Sequence, residues 1–256
     1  TSACSGIVYR DELLFPRGGE RHAFTCEPFH NVVQHNIIFR KGSTFAARRD
    51  PAESKVDFIA SKDRWFRPVM VRTGPDGALW VVDMYRYMIE HPQWLPKNGQ
   101  DELRPYFRHG EKHGRVYRVF PVESAPRAWP RLRGSAPADL VNYLEHPNGW
   151  VRDTAQQQLV QSGEGKVAGG LRRLVRASRV ALGRLHALCA LDGIGQLDAS
   201  TLEIALKDSQ PGVRRQAVRL SAALAPALLA GLEDSDPAVR LELAVSARGG
   251  ADIARL

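Results

Sequence analysis

The stretch Arg67–Pro96, RPVMVRTGPDGALWVVDMYRYMIEHPQWLP, changes character at its middle. Its first half reads as a hairpin: Val69 and Val71 alternate along one strand, Pro75-Asp76-Gly77 turns the chain, and Leu79, Val81 and Val82 return. Asp-Gly between two β-branched runs is a strong hairpin signal, because both residues tolerate the positive φ of tight turns. The return strand stops at Asp83, and the next segment that fits a strand, Arg115–Phe120, begins only after Gly114. About 30 residues thus stand where a tight turn would suffice, and connections that long are functional or disordered more often than not. This one carries Tyr85, Tyr87, Trp94, Tyr106 and Phe107 with Pro92, Pro96 and Pro105, a composition that favours order. We expect it to fold back over the sheet edge with Asp83, Arg86, Glu90 and His91 gathered at its root. There they form either a cap on an edge strand or one wall of a pocket.

The same pattern continues outward from the hairpin. Ser5–Arg10, His22–Cys26, Val32–Arg40, Thr44–Arg48 and Val56–Ala60 are further short runs with turn residues between them. Strands at such short intervals predict an antiparallel sandwich, barrel or set of propeller blades over residues 1–120. Residues 121–137 carry Pro121, Pro126, Pro130 and Pro137 with little periodicity and read as a linker, with Trp129 and Leu132 available to pin it to one neighbour.

Beyond the linker, residues 138–256 turn Leu/Ala/Arg-rich, and of all the Phe, Trp and Tyr residues only Trp129, Tyr143 and Trp150 follow Glu123. The windows EHPNGWVRDTAQQQL, DSQPGVRRQAVRLSA and DSDPAVRLELAVSA resemble one another, and VALGRLHALCALDGIG fits the same register. They align Arg152, Arg184, Arg214 and Arg240, spaced 32, 30 and 26 residues apart. Self-similarity at that period predicts stacked helix pairs. Asp236 is placed to cap a helix with Pro237 at its first position. Val213, Ala217, Leu220 and Leu224 recur as one buried stripe, and Val151, Val213 and Val239 take equivalent buried positions. The fold class expected is β then α: a partial propeller of about two blades followed by a solenoid resembling HEAT repeats.

The net charge of +8 is spread evenly before and after Glu123 rather than gathered in a stripe or tail, so nucleic acid is not an expected partner. No apolar run approaches the roughly 18–20 residues that span a bilayer. Cys4, Cys26 and Cys189 include no C-x-x-C pair, which excludes a zinc ribbon, a thioredoxin motif and a C-x-x-C-H haem attachment within this sequence. Cys189, in LHALCAL, reads as a buried helix residue. The opening TSACSGIVYR reads as the middle of a strand, so a piece of a longer protein is expected.

The phrases FRPV, GPDGALWVVDMYR, IEHPQWLP and GRVYRV, with CEPFHNVVQHNIIF and SKDRWFRPV, resemble the sorbosone-dehydrogenase-like β-propeller, most closely that of bacterial PVC-type membrane-bound dehydrogenases. The resemblance covers residues 1–121, and the helical tail fits the same arrangement. It implies a periplasmic or otherwise extracytoplasmic oxidoreductase, membrane-associated in the parent, oxidising a sugar or other polyol. It also implies pyrroloquinoline quinone with calcium at the propeller mouth and a His as proton acceptor. An electron-accepting cytochrome domain or protein, with haem c, is the implied redox partner, and the helical repeats would hold a protein partner. A non-catalytic scaffold binding glycans or proteins is the other reading. On either reading roughly two blades cannot enclose a cofactor, so this chain alone is expected to be inactive.

Candidate residues follow from chemistry and place. A neutral imidazole takes a proton from a hydroxyl, which singles out His35 and His91, with Asp83 to orient. On a regular strand Asn31, Val33 and His35 share a face and His30 points oppositely. Arg67, Arg86 and Arg115 lie at strand ends, where with Asn31 they could hold an anionic cofactor or else form salt bridges between sheets. Glu90 offers metal oxygens or a loop-stabilising contact. Cys4 and Cys26 fall on predicted neighbouring strands and are the disulfide candidates for an exported protein.

Overall fold

The computed structural model describes residues 3–15, 20–89 and 91–247. The chain divides into two compact units, residues 1–39 with 46–128, and residues 40–45 with 129–256. Antiparallel sheets precede helices, as the sequence predicts, and the described strands close neither a barrel nor a propeller.

In the first unit β1 (Cys4–Val8), β2 (Arg21–Glu27), β3 (Val32–Lys41) and β4 (Thr44–Arg48) form one meander in chain order, and the short β5 (Ile59–Ala60) pairs with the start of β3. A second meander consists of β6 (Pro68–Thr73), β7 (Leu79–Asp83) and β8 (Arg115–Val119). The two sheets meet through β1 and β2 against β6. Alternation decides what lies between them: Phe24, Cys26 and Val33 from the first sheet and Val71, Leu79 and Val81 from the second are fully buried with Tyr9. Burying each such large side chain stabilises the unit by about 1.5–3 kcal/mol.

The strand expected over Val56–Ala60 keeps only its last two residues. Arg49 Nη2 collects the carbonyls of Glu53 (3.1 Å) and Val56 (2.7 Å) and the Asp57 carboxylate (2.9 Å), which holds the preceding segment in a bend.

The opening hairpin forms as read, with one difference at its turn. Gly77 N–H donates to Gly74 O, and Gly77 alone takes positive φ (+89°) while Asp76 does not. Asp76 instead is fully buried and accepts from Ala78 N, Trp80 Nε1 and Arg118 Nε. The long connection after β7 is not an irregular loop: it holds α1 (Lys97–Leu103) between two single 3-10 turns, Pro92–Trp94 and Arg104–Tyr106. Its root is fastened by Arg86 N to Trp65 O (3.0 Å) and Tyr87 N to His109 O (3.2 Å), and by ring contacts among Trp65, Tyr85, Tyr87, Tyr106 and His109. Trp94 is 85% exposed and anchors nothing.

The linker is less free than its prolines suggest. Arg127 donates through Nη1 to both oxygens of the fully buried Asp11 carboxylate, and its N–H bonds Asp76 O. Leu132 enters the helical core, whereas Trp129 stays exposed.

The second unit is a stack of helix pairs: α2 (Pro137–Tyr143) with α3 (Gly149–Ser162), α4 (Ala168–Ala177) with α5 (Ala181–Gly193), and α6 (Ala199–Leu206) with α7 (Pro211–Leu224), ended by α8 (Pro237–Ala247). Helices α2, α4 and α6 touch in sequence, as do α3, α5, α7 and α8, so the stack has two layers. Val151, Val213 and Val239 occupy equivalent buried places. Asp236 caps α8 through the N–H groups of Ala238 and Val239. The α7 stripe bends away from expectation. Val213, Ala217, Val218 and Ser221 are buried, Leu220 is partly so, and Leu224 at the helix end is exposed.

The aligned arginines have one geometric role. Each reaches back six residues to a carbonyl in the turn before its helix: Arg152 to His146, Arg184 to Ser178, Arg214 to Asp208, Arg240 to Asp234. Two of them also fork onto the next repeat's aspartate, Arg184 onto Asp208 (2.6 and 2.7 Å) and Arg214 onto Asp234 (2.7 and 2.9 Å). Turn carbonyls and the next repeat are thereby fixed by one planar, always-charged group.

Candidate functional site

Two polar clusters stand out in the first unit. The first begins with strand register. In the β2–β3 hairpin Cys26 faces Val33, Phe24 faces His35 and His22 faces Ile37, so His22 and His35 are diagonal neighbours on the core face. His35 is 1% exposed, a position that an imidazole tolerates only when both nitrogens are bonded. They are: Nδ1 lies 2.9 Å from Glu53 Oε1 and Nε2 lies 2.9 Å from His22 Nδ1. Glu53 ends a single 3-10 turn, Pro51–Glu53, whose start is capped by Asp50 accepting from Ala52 N.

The carboxylate only accepts, which fixes the tautomers in turn. With both rings neutral, His35 carries its proton on Nδ1, accepts at Nε2 from His22 Nδ1–H, and leaves His22 Nε2 as a lone pair with no partner among the described residues. Glu53 Oε2 is buried with no hydrogen-bond partner among the described residues. The rings sit in an aromatic box. Phe15 stacks on His22 at 3.6 Å and 8°, Phe24 stacks on His35 at 4.9 Å and 15°, and Phe58 meets His35 edge-on. Burial, and next the neighbouring His35, lower the His22 pKa below its ordinary value, against the pull of Glu20, Asp50 and Glu53. Burial therefore favours the neutral imidazole of His22, the form a general base needs.

The second cluster gathers Arg67, Asp83, Arg86 and Arg115. Asp83 is 1% exposed; its Oδ1 accepts from Arg67 N and Tyr85 N (both 2.8 Å) and its Oδ2 from Arg115 Nε (3.2 Å). Arg115 also contacts Asp63 (3.4 Å) and covers the Tyr85 ring at 3.8 Å. The buried Arg67 guanidinium donates to the carbonyls of Arg86, Tyr87, Pro28 and Phe29, joining the β2–β3 turn to the root of the long connection. Arg86 Nη1 donates to Met84 O and Tyr85 O. Asn31 lies in the turn before β3 with φ +61°, not on the strand, and its amide bonds Phe66 O and Arg64 O.

Of the predicted site residues, then, Arg67, Arg86, Arg115 and Asp83 come together and Asn31 adjoins them. His35 belongs to the other cluster. His91 is exposed and accepts from Gln93 N within the long connection. Glu90 lies outside the described residues. Cys4 and Cys26 face each other across β1 and β2. His22 and Glu53 were missed by sequence reasoning. The alternation His22-Phe24-Cys26 against Val33-His35-Ile37 signals the first once the hairpin register is known; nothing in the sequence marks Glu53.

The three arginines direct their N–H groups to backbone carbonyls, Asp83 and Asp63, and no described group of three or more His, Cys, Asp or Glu side chains could hold a metal ion. An apolar cleft of about 280 Å³ between β5 and the second sheet, lined by Ile59, Phe66, Val81, Tyr117 and Val119, contains none of the candidate residues. No described helix is long and apolar enough to cross a membrane.

With this geometry in hand, comparison with known proteins adds one match. Residues 1–123 match the family described as a domain of unknown function, DUF7133. No curated protein matches the chain. The matched span ends just past β8 and takes in both clusters; the helical stack lies outside it.

Proposed function

We propose that residues 1–128 are a blade-bearing part of a β-propeller oxidoreductase resembling the PVC-type, sorbosone-dehydrogenase-like proteins, acting on a sugar or other polyol outside the cytoplasm. The observation that carries this is topological. Two consecutive antiparallel meanders, β1–β4 and β6–β8, pack face to face through their first strands, as successive blades of a propeller do. Oxidising a polyol needs a base for the hydroxyl proton, and the Glu53–His35–His22 chain supplies one whose open nitrogen is His22 Nε2. A redox cofactor would take up the electrons. Arg67, Arg86 and Arg115 are the groups of this chain proposed to face it, and the rest of its site would come from other blades of the assembled propeller. The helical stack is the bracing or protein-binding module of the same protein.

One observation favours the alternative, a non-catalytic propeller–solenoid scaffold: the Asp83 cluster is satisfied internally and reads as a joint between sheets. The experiment is to purify the longest natural chain containing these residues, record its quinone and haem spectra, and assay dye-coupled oxidation of sugars and polyols. Cofactor and turnover, with His22→Ala lowering kcat about 10²–10⁴-fold, are expected of a base. A parent that holds no redox cofactor and oxidises no polyol, yet binds glycans or proteins, overturns the enzyme in favour of the scaffold.

A further inference from the structure

β1 and β2 place Cys4 and Cys26 directly opposite each other in antiparallel register. Opposed residues of such a pair have Cα atoms about 4.5–5.5 Å apart and side chains on one face. That spacing lies inside the roughly 4.4–6.8 Å that a disulfide spans. Both side chains join the same apolar cluster, which confirms the shared face, and both thiols are free. The two differ in access. Cys26 is wholly buried, whereas Cys4 is partly exposed, its Sγ donating to Val69 O at 3.5 Å.

We propose that Cys4 and Cys26 form a reversible cross-strand clasp, with Cys4 as the thiol that meets a small-molecule disulfide and Cys26 as the thiol that resolves it. The Cys4 thiolate attacks one sulfur of oxidised glutathione, forming a mixed disulfide and releasing one glutathione thiolate. Cys26 then loses its proton to solvent and attacks Cys4 Sγ, which expels the second glutathione thiolate. Two protein thiols are oxidised to one disulfide, and one glutathione disulfide is reduced to two thiols. The order follows from burial: desolvation holds the Cys26 thiol pKa up to about 12, so Cys26 resolves only when the start of β1 lifts and readmits water.

The consequence is mechanical. β1 pairs on one side with β2 and packs on β6 through Ser5 Oγ, which accepts from Val71 N, and through Cys4 itself. Among the described residues, its first residues are thus held by non-covalent contacts alone. The clasp fastens them to a central strand and takes away the Cys4-to-Val69 bond.

The experiment treats the folded 256-residue chain with excess oxidised glutathione at mildly alkaline pH, quenches with acid, and reads intact mass and a non-reducing peptide map. A loss of about 2 Da and a Cys4–Cys26 cross-linked peptide, both reversed by dithiothreitol, are expected. Cys189, on a helix of the other unit, should remain a free thiol and is the internal control. Cys26→Ser should stop at a glutathione adduct on Cys4, and Cys4→Ser should give no adduct at Cys26. Wild-type chain that accumulates a lasting adduct on Cys4, cross-links Cys189 instead, or stays fully reduced while the urea-unfolded chain reacts overturns the proposal. So does Cys4→Ser taking up glutathione at Cys26 as fast as wild type reacts.

Discussion

Removing the Arg214–Asp234 fork tests whether the arginine ladder is a structural tie or surface ornament. The pair makes two charge-assisted bonds of 2.7 and 2.9 Å, with side-chain exposures of 16% for Arg214 and 9% for Asp234. Fully exposed pairs contribute about 0.2–1 kcal/mol, while breaking a buried pair costs about 3–5 kcal/mol. These exposures sit nearer the buried limit, though the guanidinium edge is wetted, so a coupling of about 2 kcal/mol is expected. The measurement is a double-mutant cycle of Arg214→Ala, Asp234→Ala and the double variant, from urea unfolding followed at the helix band. Asp234→Ala should cost more than the coupling alone, because Asp234 also accepts from Asp236 N and its removal strands the Arg214 charge. The coupling should persist in about 1 M salt, where the Debye length is roughly 3 Å and exposed pairs are screened. A coupling below about 0.5 kcal/mol, or one abolished by salt, would falsify the reading of the ladder as a tie.

Further outcomes follow from other sites. Val213→Asp places an unpaired charge at a position 1% exposed and should cost several kcal/mol or about 3–5, seen as loss of helical signal at lower urea. Gly77→Ala should destabilise the first unit by more than about 1 kcal/mol, because φ is +89° and the added methyl meets Asp11 and Arg127; a neutral result would mean the turn rearranges freely. His22 has its pKa lowered by folding, so the unfolded chain binds the proton more readily. Stability from this group is complete above the ordinary value of about 6.5 and is lost as pH falls through the folded value. The difference in melting temperature between wild type and His22→Phe should therefore shrink on acidification, and a constant difference from pH 8 to 5 would count against the buried neutral imidazole. The 256-residue chain alone should reduce no dye with added quinone and polyol; turnover would show that fewer blades suffice.

How much of this was legible beforehand depended on how local each signal was. The hairpin and the Asp236 cap of α8 rest on residues within a few positions of one another and form as the sequence predicts, save that Gly77 alone takes positive φ at the turn. The alignment of Arg152, Arg184, Arg214 and Arg240 was visible as a period, but its meaning was not. The six-residue reach to a carbonyl and the fork to the next aspartate, 24 and 20 residues on, are properties of the stack. Likewise the α7 period runs on to Leu224, yet that last residue of the helix is exposed, which periodicity alone does not tell.

The site shows the same limit in sharper form. His35 was singled out for its chemistry and paired in expectation with His91 and Asp83, the other chemically suggestive residues of the aromatic-rich segment. Strand register settles the matter differently. A residue at an inward position of β3 sees its cross-strand partner Phe24, the diagonal His22, and whatever packs on that face, here Glu53 from a 3-10 turn. Asp83 closes β7 in the other sheet, where two backbone N–H groups and Arg115 already satisfy it, so orienting a histidine would require breaking that set. His91 lies beyond the root of the long connection, on an exposed stretch with no strand to fix it. Composition drew attention to His35, and only the register could name its partners. Hence the test that discriminates is His22 against His91. If the relay is the base of a propeller oxidoreductase, His22→Ala lowers turnover in the parent enzyme and His91→Ala does not. The reverse result would return the chemistry to the long connection and leave Glu53, His35 and His22 as a buried polar network that orders the first sheet.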